Sequence, residues 1–291
     1  MRIAIHGRSF KDDSTEFVEK MFAVLEEKES KIKIFEPFAQ FIQKKGINPG
    51  KHKIYNNAKD LQNADFVFSV GGDGTLLETV TYVHNRMIPI LGINTGRLGF
   101  LATTNREEIE KAIDDLFSGK YTFDDRSLIR ADCPLNVFEE EDFGLNEFAI
   151  LKKDTSSMIV VHTYINDEYL NSYWADGLIV STPTGSTGYS LSCGGPLVLP
   201  SSNNFIIAPI SPHNLNVRPM VVSDDSVISF KIEARSKNIL VSLDSRSKSI
   251  PVNTPIQVRK EQFKTRLIKF RHHNFFETLR NKLNWGLDLR N

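Results

Sequence analysis

Cysteine is scarce: 291 residues hold only Cys133 and Cys193, with no Cys-x-x-Cys spacing. A disulfide-stapled scaffold, a zinc ribbon and a thioredoxin-type redox pair are thereby excluded. An excess of one charge is missing as well. Lys and Arg number 36, Asp and Glu also 36, and the formal net charge is +0. No global field draws the chain to nucleic acid or anionic lipid, so binding must come from local sites. Long apolar runs are absent, and none approaches the roughly 18 residues that span a bilayer. Residues 1–7 turn polar too early for the core of a signal peptide. The expected location is the cytoplasm, with reduced thiols. None of the 7 histidines forms an H-E-x-x-H pair, and no dedicated metal cage is expected. No repeat or low-complexity linker interrupts the chain.

What is present suits a folded, soluble protein. Hydrophobic residues make up 40% and charged residues 25%, which supplies a real core. The length suggests two domains. Residues 3–5, 32–35, 65–70 and 88–93 read as short apolar strands. Between and after them, Phe17, Met21, Val24 and Leu25, then residues 76–85, then Ile109, Ala112, Ile113, Leu116 and Phe117 recur at helical spacing. Strands alternating with helices imply a parallel sheet covered by helices, with ligands at the carboxyl ends of the strands. After about residue 127 the helical period fades. Residues 226–233, 238–243 and 255–259 are β-rich and separated by turn residues, as in a β-sandwich-like domain. Residues 275–285 return to a helical pattern. The expected fold is an α/β domain over 1–128, a β-rich domain over 129–270, and a helical tail over 271–291 that folds back onto the first domain.

The first chemical signal is Gly71-Gly72-Asp73-Gly74-Thr75, directly after a strand and opening a helix. Glycines allow a sharp turn and close ligand approach, and a helix N-terminus suits a phosphate. The run is neither a P-loop nor a dinucleotide fingerprint. Asp73 is the informative residue, because a carboxylate repels phosphate. It accepts a proton from an attacking hydroxyl, holds a metal ion, or merely caps the helix.

The second signal spans residues 176–196. A strand leads into a loop with hydroxyls at Ser181, Thr182, Thr184, Ser186, Thr187, Ser190 and Ser192, and glycines at 185, 188, 194 and 195. Hydroxyls and bare amides bind phosphate and ribose oxygens, and Tyr189 offers a ring to stack. An ordinary Ser/Thr turn explains some of these glycines but not so dense a run.

Together these stretches resemble the NAD kinase family. The resemblance rests on Gly71 through Thr75, on residues 94–102 (NTGRLGFLA), on Asn146-Glu147, on residues 176–196, and on residues 212–219 (PHNLNVRP). The markers run in family order across most of the chain. The first alone is weak, since lipid kinases and phosphofructokinases carry similar turns; the set is specific. It implies an α/β domain joined to a β-rich domain. It also implies transfer of the ATP γ-phosphate to the 2′-hydroxyl of the NAD adenosine ribose, giving NADP.

Carried over by position, the resemblance makes Asp73 the proton acceptor. Gly72, Gly74 and Thr75 then sit at the approaching nucleotide. Asn146 and Glu147 hold ribose hydroxyls, although neighbours on a regular strand face opposite ways, so the chain must bulge or turn there. Thr187, Gly188, Tyr189, Ser190, Leu191 and Ser192 line the NAD pocket, and Asp176 joins them at a subunit contact. Magnesium or another divalent cation accompanies ATP, and the protein is expected as a homodimer or homotetramer. Three positions depart from the family pattern. Gly188 replaces the usual alanine, Trp174 a basic residue, and Arg246 a glutamine; a cation at 246 favours a phosphate group or is simply a solvated turn residue.

Two rival readings stand beside this one. A lipid kinase would use the Gly71–Thr75 turn with Glu78, but would need membranes and not the 176–196 loop. A nucleotide sensor would keep the pocket and lose the acid, yet Asp73 is present. The basic residues between Arg259 and Arg271 fit an exposed strand face better than a nucleic-acid site. His272 and His273 read as surface, and His213 as a turn residue near the pocket.

Overall fold

The computed structural model describes the chain except residues 97–98, 135, 140, 154–156, 272 and 287–291, and the side chain of Asp12. Arg97 and Leu98 of the 94–102 motif, and His272, therefore lie outside the described residues. The rest groups into two units: residues 1–125 with those from 266 onward, and residues 126–265. The boundaries read from the sequence, after 128 and 270, lie a few residues further along.

Unit 1 is built on parallel strands β1 (Arg2–Gly7), β2 (Lys31–Phe35), β3 (His52–Tyr55), β4 (Phe66–Gly71) and β5 (Ile90–Asn94). Their spatial order is β3-β2-β1-β4-β5. The chain starts at the centre, builds outward to β3, then returns to the other side of β1. The switch point thus falls between the carboxyl ends of β1 and β4, where open α/β sheets bind ligands. Every residue of β4 is buried, as expected of a strand covered on both faces. Helices α1 (Thr15–Glu27), α2 (Glu36–Lys44), α3 (Asp73–Val83) and α4 (Ile109–Phe117) complete the unit. In α1 the buried side chains Phe17, Val18, Met21, Phe22 and Leu25 form one stripe. The sequence reading passed over α2 and β3. Pro37 sits in the first turn of α2, where a missing N–H costs nothing, so it opens that helix.

Unit 2 begins inside β6 (Tyr121–Asp132) and continues through β7 (Phe143–Gly144), β8 (Glu147–Lys152), β9 (Ile159–Ile165), β10 (Glu168–Ala175) and β11 (Gly177–Ser181). A short helix, α5 (Tyr189–Ser192), follows. Then come β12 (Asn204–Ile210), β13 (Met220–Ser223), β14 (Ile228–Glu233), β15 (Asn238–Leu243), β16 (Arg246–Pro251) and β17 (Ile256–Phe270). One antiparallel sheet runs β13-β12-β11-β8-β15-β16, and a second sets β10, β9, β14 and β17 side by side. Phe148, Ile150, Leu178, Val180, Phe205 and Ile207 of the first meet Val161, Ile228, Phe230 and Val258 of the second in a common core. Their alternating neighbours Ala149, Ile179, Ile206 and Ala208 form a core on the outer face, against which Cys193 and Val198 pack. The small-residue loop therefore lies on the back of this sheet. The last residues of β17 return to unit 1, where Leu267 pairs in parallel with Ile90.

Helix α6 (Phe275–Leu283) ends the described chain. The Asn274 side chain accepts the Phe276 N–H at its start. Leu279 is buried, and the Lys282 ammonium lies 5.2 Å from the centre of the Phe100 ring. The tail thus folds back within unit 1, and the molecule pairs an α/β unit with a β-sandwich-like one. No helix among the described residues is long and apolar enough to cross a membrane.

Candidate active site

In unit 1 the glycine turn joins β4 to α3 at the switch point, as the motif predicts. Asp73 is the first residue of α3, yet it does not cap that helix. Its carboxylate turns to the loop after β5 and accepts the backbone N–H groups of Phe100 (2.8 Å), Leu101 (3.1 Å) and Ala102 (3.0 Å). Gly99 makes this approach possible: a Cβ there would stand 1.9 Å from Asp73 Oδ1. A Cβ at Gly71 would meet Thr75 Oγ1 at 2.2 Å, whereas Gly72 and Gly74 face open space. The loop is anchored at its start. Asn94 Oδ1 accepts the Gly96 N–H (2.6 Å), Ser14 Oγ donates to the Thr95 carbonyl (2.9 Å), and Arg106 donates to the same oxygen.

Two residues beside this turn escaped the sequence reading. His6 is fully buried at the end of β1. Its Nδ1 lies 3.0 Å from the Tyr55 hydroxyl, its Nε2 3.3 Å from Glu78, and its ring stacks on Phe35 at 4.2 Å. Arg8 grips Glu78 with both nitrogens of its fork, at 2.7 and 2.5 Å. Burial raises the Glu78 carboxyl, but the hydrogen bonds from His6 and Arg8 outweigh it and hold Glu78 below the ordinary carboxylate range. The signal was available: a histidine and an arginine flank Gly7 at the carboxyl end of the central strand. A groove of about 680 Å³ at the opposite ends of these strands, lined by Lys31, Lys33 and Lys53 among others, holds no acid–base pair. It is remote from the switch point.

In unit 2 the structure gathers several predicted residues. A Cβ on Gly188 would stand 3.4 Å from Glu147 Oε2 and 3.8 Å from Asn146 Nδ2. The alanine usual in the family would also press the Gly185 carbonyl at 3.3 Å. Tyr189 is half-exposed, and burial, ahead of the neighbouring Cys193 and Asp176, raises its hydroxyl above the ordinary tyrosine value. Asp176 pairs with Lys152 at 2.6 Å. Thr187 Oγ1 donates to the Thr184 carbonyl, and the loop is tied to the Asn146 segment by Thr182, whose N–H reaches the Asn146 carbonyl and whose hydroxyl reaches that of Leu145. Ser190 is buried, Leu191 half-buried and Ser192 exposed on α5.

Glu147 is the electrostatic anomaly of this cluster. Burial, with the neighbouring Asp244 carboxylate, pushes it up to about 8. Asp244, also raised by burial, is opposed by backbone N–H groups from Leu145, Asn146 and Glu147 and by Arg246. Two adjacent buried carboxyls cannot both ionise cheaply. The charge rests on Asp244, which has the donors, and Glu147 keeps its proton. Arg246 donates to the carbonyls of Glu141 and Phe143 and, at 3.3 Å, to the Glu141 carboxylate. Its guanidinium is thus occupied by the segment leading into Asn146. Trp174, half-exposed, lies against His213 with ring centres 4.3 Å apart. His273, expected at the surface, is largely covered: it lies 3.1 Å from the Thr103 hydroxyl and 3.6 Å from Glu108.

A parallel α/β unit with an acid-bearing glycine turn, joined in one chain to a sandwich with a hydroxyl-rich loop, is the combination expected of a nucleotide phosphotransferase. Residues 8–121 match the family model described as ATP-NAD kinase N-terminal domain, and residues 145–270 match the ATP-NAD kinase C-terminal domain. The chain is 53% identical over 292 residues to the NAD kinase of Cytophaga hutchinsonii and 45% identical over 294 residues to that of Flavobacterium psychrophilum, each match covering 100% of both chains. Among solved structures, an NAD kinase from Archaeoglobus fulgidus in complex with ATP aligns with a TM-score of 0.76 at 28% identity, over 98% of this chain and 99% of that one. Yeast NADH kinase complexed with NADH shares the fold, with a TM-score of 0.88 at 22% identity over 100% and 89% of the chains. The chain belongs to the ATP-NAD kinase family, kinases whose reaction phosphorylates NAD to NADP.

Proposed function

We propose that this chain transfers the γ-phosphoryl group of ATP to the 2′-hydroxyl of the NAD adenosine ribose, with Asp73 as the proton acceptor. The carrying observation is the Asp73 carboxylate, fixed by three amides at the head of α3 beside the open positions Gly72 and Gly74. A carboxylate offers about four acceptor sites; three are taken, and one remains for the hydroxyl. The bond from the γ-phosphorus to the bridging oxygen breaks, the bond to the ribose 2′-oxygen forms, the proton passes to Asp73, and ADP leaves. The transition state is loose, so orientation by a rigid carboxylate counts for more than full deprotonation. Thr75 and the free N–H groups at the start of α3 receive phosphate oxygens. Magnesium, or another divalent cation, enters on the triphosphate as part of that substrate and offsets its charge.

In unit 2, Asn146 and a protonated Glu147 bind ribose hydroxyls, with Glu147 as donor. Asp176, Thr187, Gly188, Tyr189, Ser190, Leu191 and Ser192 form the wall of the NAD site, and Arg246 steadies the segment beneath it. The assembly is a homodimer or homotetramer. The compartment is the cytoplasm, which keeps thiols such as the unpaired Cys133 and Cys193 reduced.

The test is incubation with MgATP and NAD, with NADP read by an NADP-specific dehydrogenase. Asp73→Asn is expected to lose at least about a hundredfold in kcat, with NAD binding unchanged by calorimetry. An Asp73→Asn enzyme with wild-type kcat would remove Asp73 from the chemistry. Absence of NADP from the wild type would remove the reaction itself.

A further inference from the structure

The Asn146-Glu147 pair sits where the chain leaves one sheet of the sandwich, at β7, and enters the other, at β8. Successive N–H groups of an extended strand point to opposite sides. Here three in a row, from Leu145 (2.8 Å), Asn146 (2.8 Å) and Glu147 (3.1 Å), converge on the Asp244 carboxylate. The chain is therefore curled around that carboxylate, which is the turn that two neighbouring ligand-binding side chains require. The grip is reciprocal, since the Asp244 N–H donates to the Glu147 carbonyl at 3.0 Å. Asp244 itself holds φ 52°, an uncommon backbone conformation for a residue with a side chain. Gly144 clears the space, because a Cβ there would stand 3.0 Å from Asp244 Oδ1. One residue beyond the tip of the turn, Arg246 holds the carbonyls of Glu141 and Phe143. The β15–β16 turn thus reads the backbone from 141 to 147 from both sides.

We infer that Asp244 is the positioning residue of the acceptor-nucleotide site: its carboxylate, fixed on the β15–β16 turn, sets the backbone curl that aims Asn146 and Glu147 at the same ligand. The inference rests on the proposal that Asn146 and Glu147 bind the NAD ribose. Asp244 makes no contact with substrate in this role. A carboxylate is required because an amide side chain has one acceptor oxygen, and its NH₂ would face a backbone N–H, donor against donor.

Asp244→Asn tests this, with kcat, KM for NAD and KM for ATP measured beside thermal melting. The expected result is a loss of about tenfold in kcat/KM for NAD, the scale of one buried donor left unmatched, with KM for ATP unchanged. In an Asn146→Ala, Glu147→Ala background the same substitution is expected to cost less than about twofold, because both side chains it aims are already gone. A folded Asp244→Asn enzyme with unchanged KM for NAD overturns the inference. So does a loss shared equally by both substrates, or one that adds in full to that of the Asn146→Ala, Glu147→Ala pair. If Asp244→Asn does not fold, Gly144→Ala takes its place. It displaces the carboxylate without removing it, and is expected to raise KM for NAD severalfold and leave KM for ATP alone; no change overturns the inference. If Asn146→Ala and Glu147→Ala both leave KM for NAD untouched, the site reading falls and takes this inference with it. If they raise KM and Asp244→Asn does not, only the inference falls.

Discussion

Glu147 shows how one buried side chain ties stability to pH. Its ordinary carboxyl pKa is 4.5, and in the folded chain burial and Asp244 push it up to about 8. Between those values the unfolded chain has released the proton and the folded chain has kept it. The unfolded state therefore binds fewer protons, and stability falls as pH rises through that window. Below it, Glu147 carries no penalty. Glu147→Gln keeps the neutral shape and removes the ionisation. It is expected to melt at the wild-type temperature at pH 5 and at least about 3 °C above wild type at pH 9, the scale of a kcal/mol or more in a chain of this size. Parallel melting curves across that range would show that Glu147 titrates normally. Asp244 was invisible at this scale in the sequence. Its three partners lie nearly a hundred residues earlier, and no local pattern announces them. Asp73 was legible because an acid inside a glycine turn is odd chemistry wherever it occurs. Which donors it meets was not, since they come from the backbone of the loop after the next strand.

At the scale of elements, the head of α3 holds a glycine that its own packing does not require. Gly74 is helical, exposed and without neighbours within 4 Å. Glycine inside a helix costs up to about 1 kcal/mol against alanine. Gly74→Ala is therefore expected to leave the melting temperature unchanged or slightly raised. If that space receives ATP, the same substitution raises KM for ATP at least about tenfold. Wild-type KM would mean the open face of the turn belongs to solvent. The alternation of strand and helix that places this turn was readable because β4 and β5 are mostly apolar, fully buried and bounded by turns. Strand β3 was not, being a short edge strand with three of its four residues exposed. Helix α2 was hidden by Pro37 and by having only Phe38 and Ile42 as buried anchors. In the sandwich, the outer core of Ala149, Ile179 and Ala208 made the strands of the first sheet apolar on both faces, so simple alternation did not describe them.

For the whole molecule, a formal charge of +0 leaves association to shape and apolar surface. Strand β13 is the edge of its sheet, and Met220 and Val221 on it are 41% and 48% exposed. An apolar edge strand without cover invites a second copy. If copies meet along this edge, as the proposed homodimer or homotetramer would allow, Val221→Lys gives a smaller species in sedimentation velocity. An unchanged sedimentation coefficient would direct the search for the subunit contact elsewhere, beginning with Asp176 and Trp174.

The return of β17 to the first unit also has a consequence for the order of synthesis. Ile90 finds Leu267 beside it only when nearly the whole chain has been made, and α6, which lays Lys282 over Phe100, comes later still. The part of the protein that leaves the ribosome first is thus the part completed last. By then the sandwich, closed between residues 126 and 265, already has all its strands. A nascent chain stalled near residue 265 would carry a finished sandwich and an unfinished α/β unit, so quality control acting on the amino-terminal half would be reading a fault at the carboxyl end.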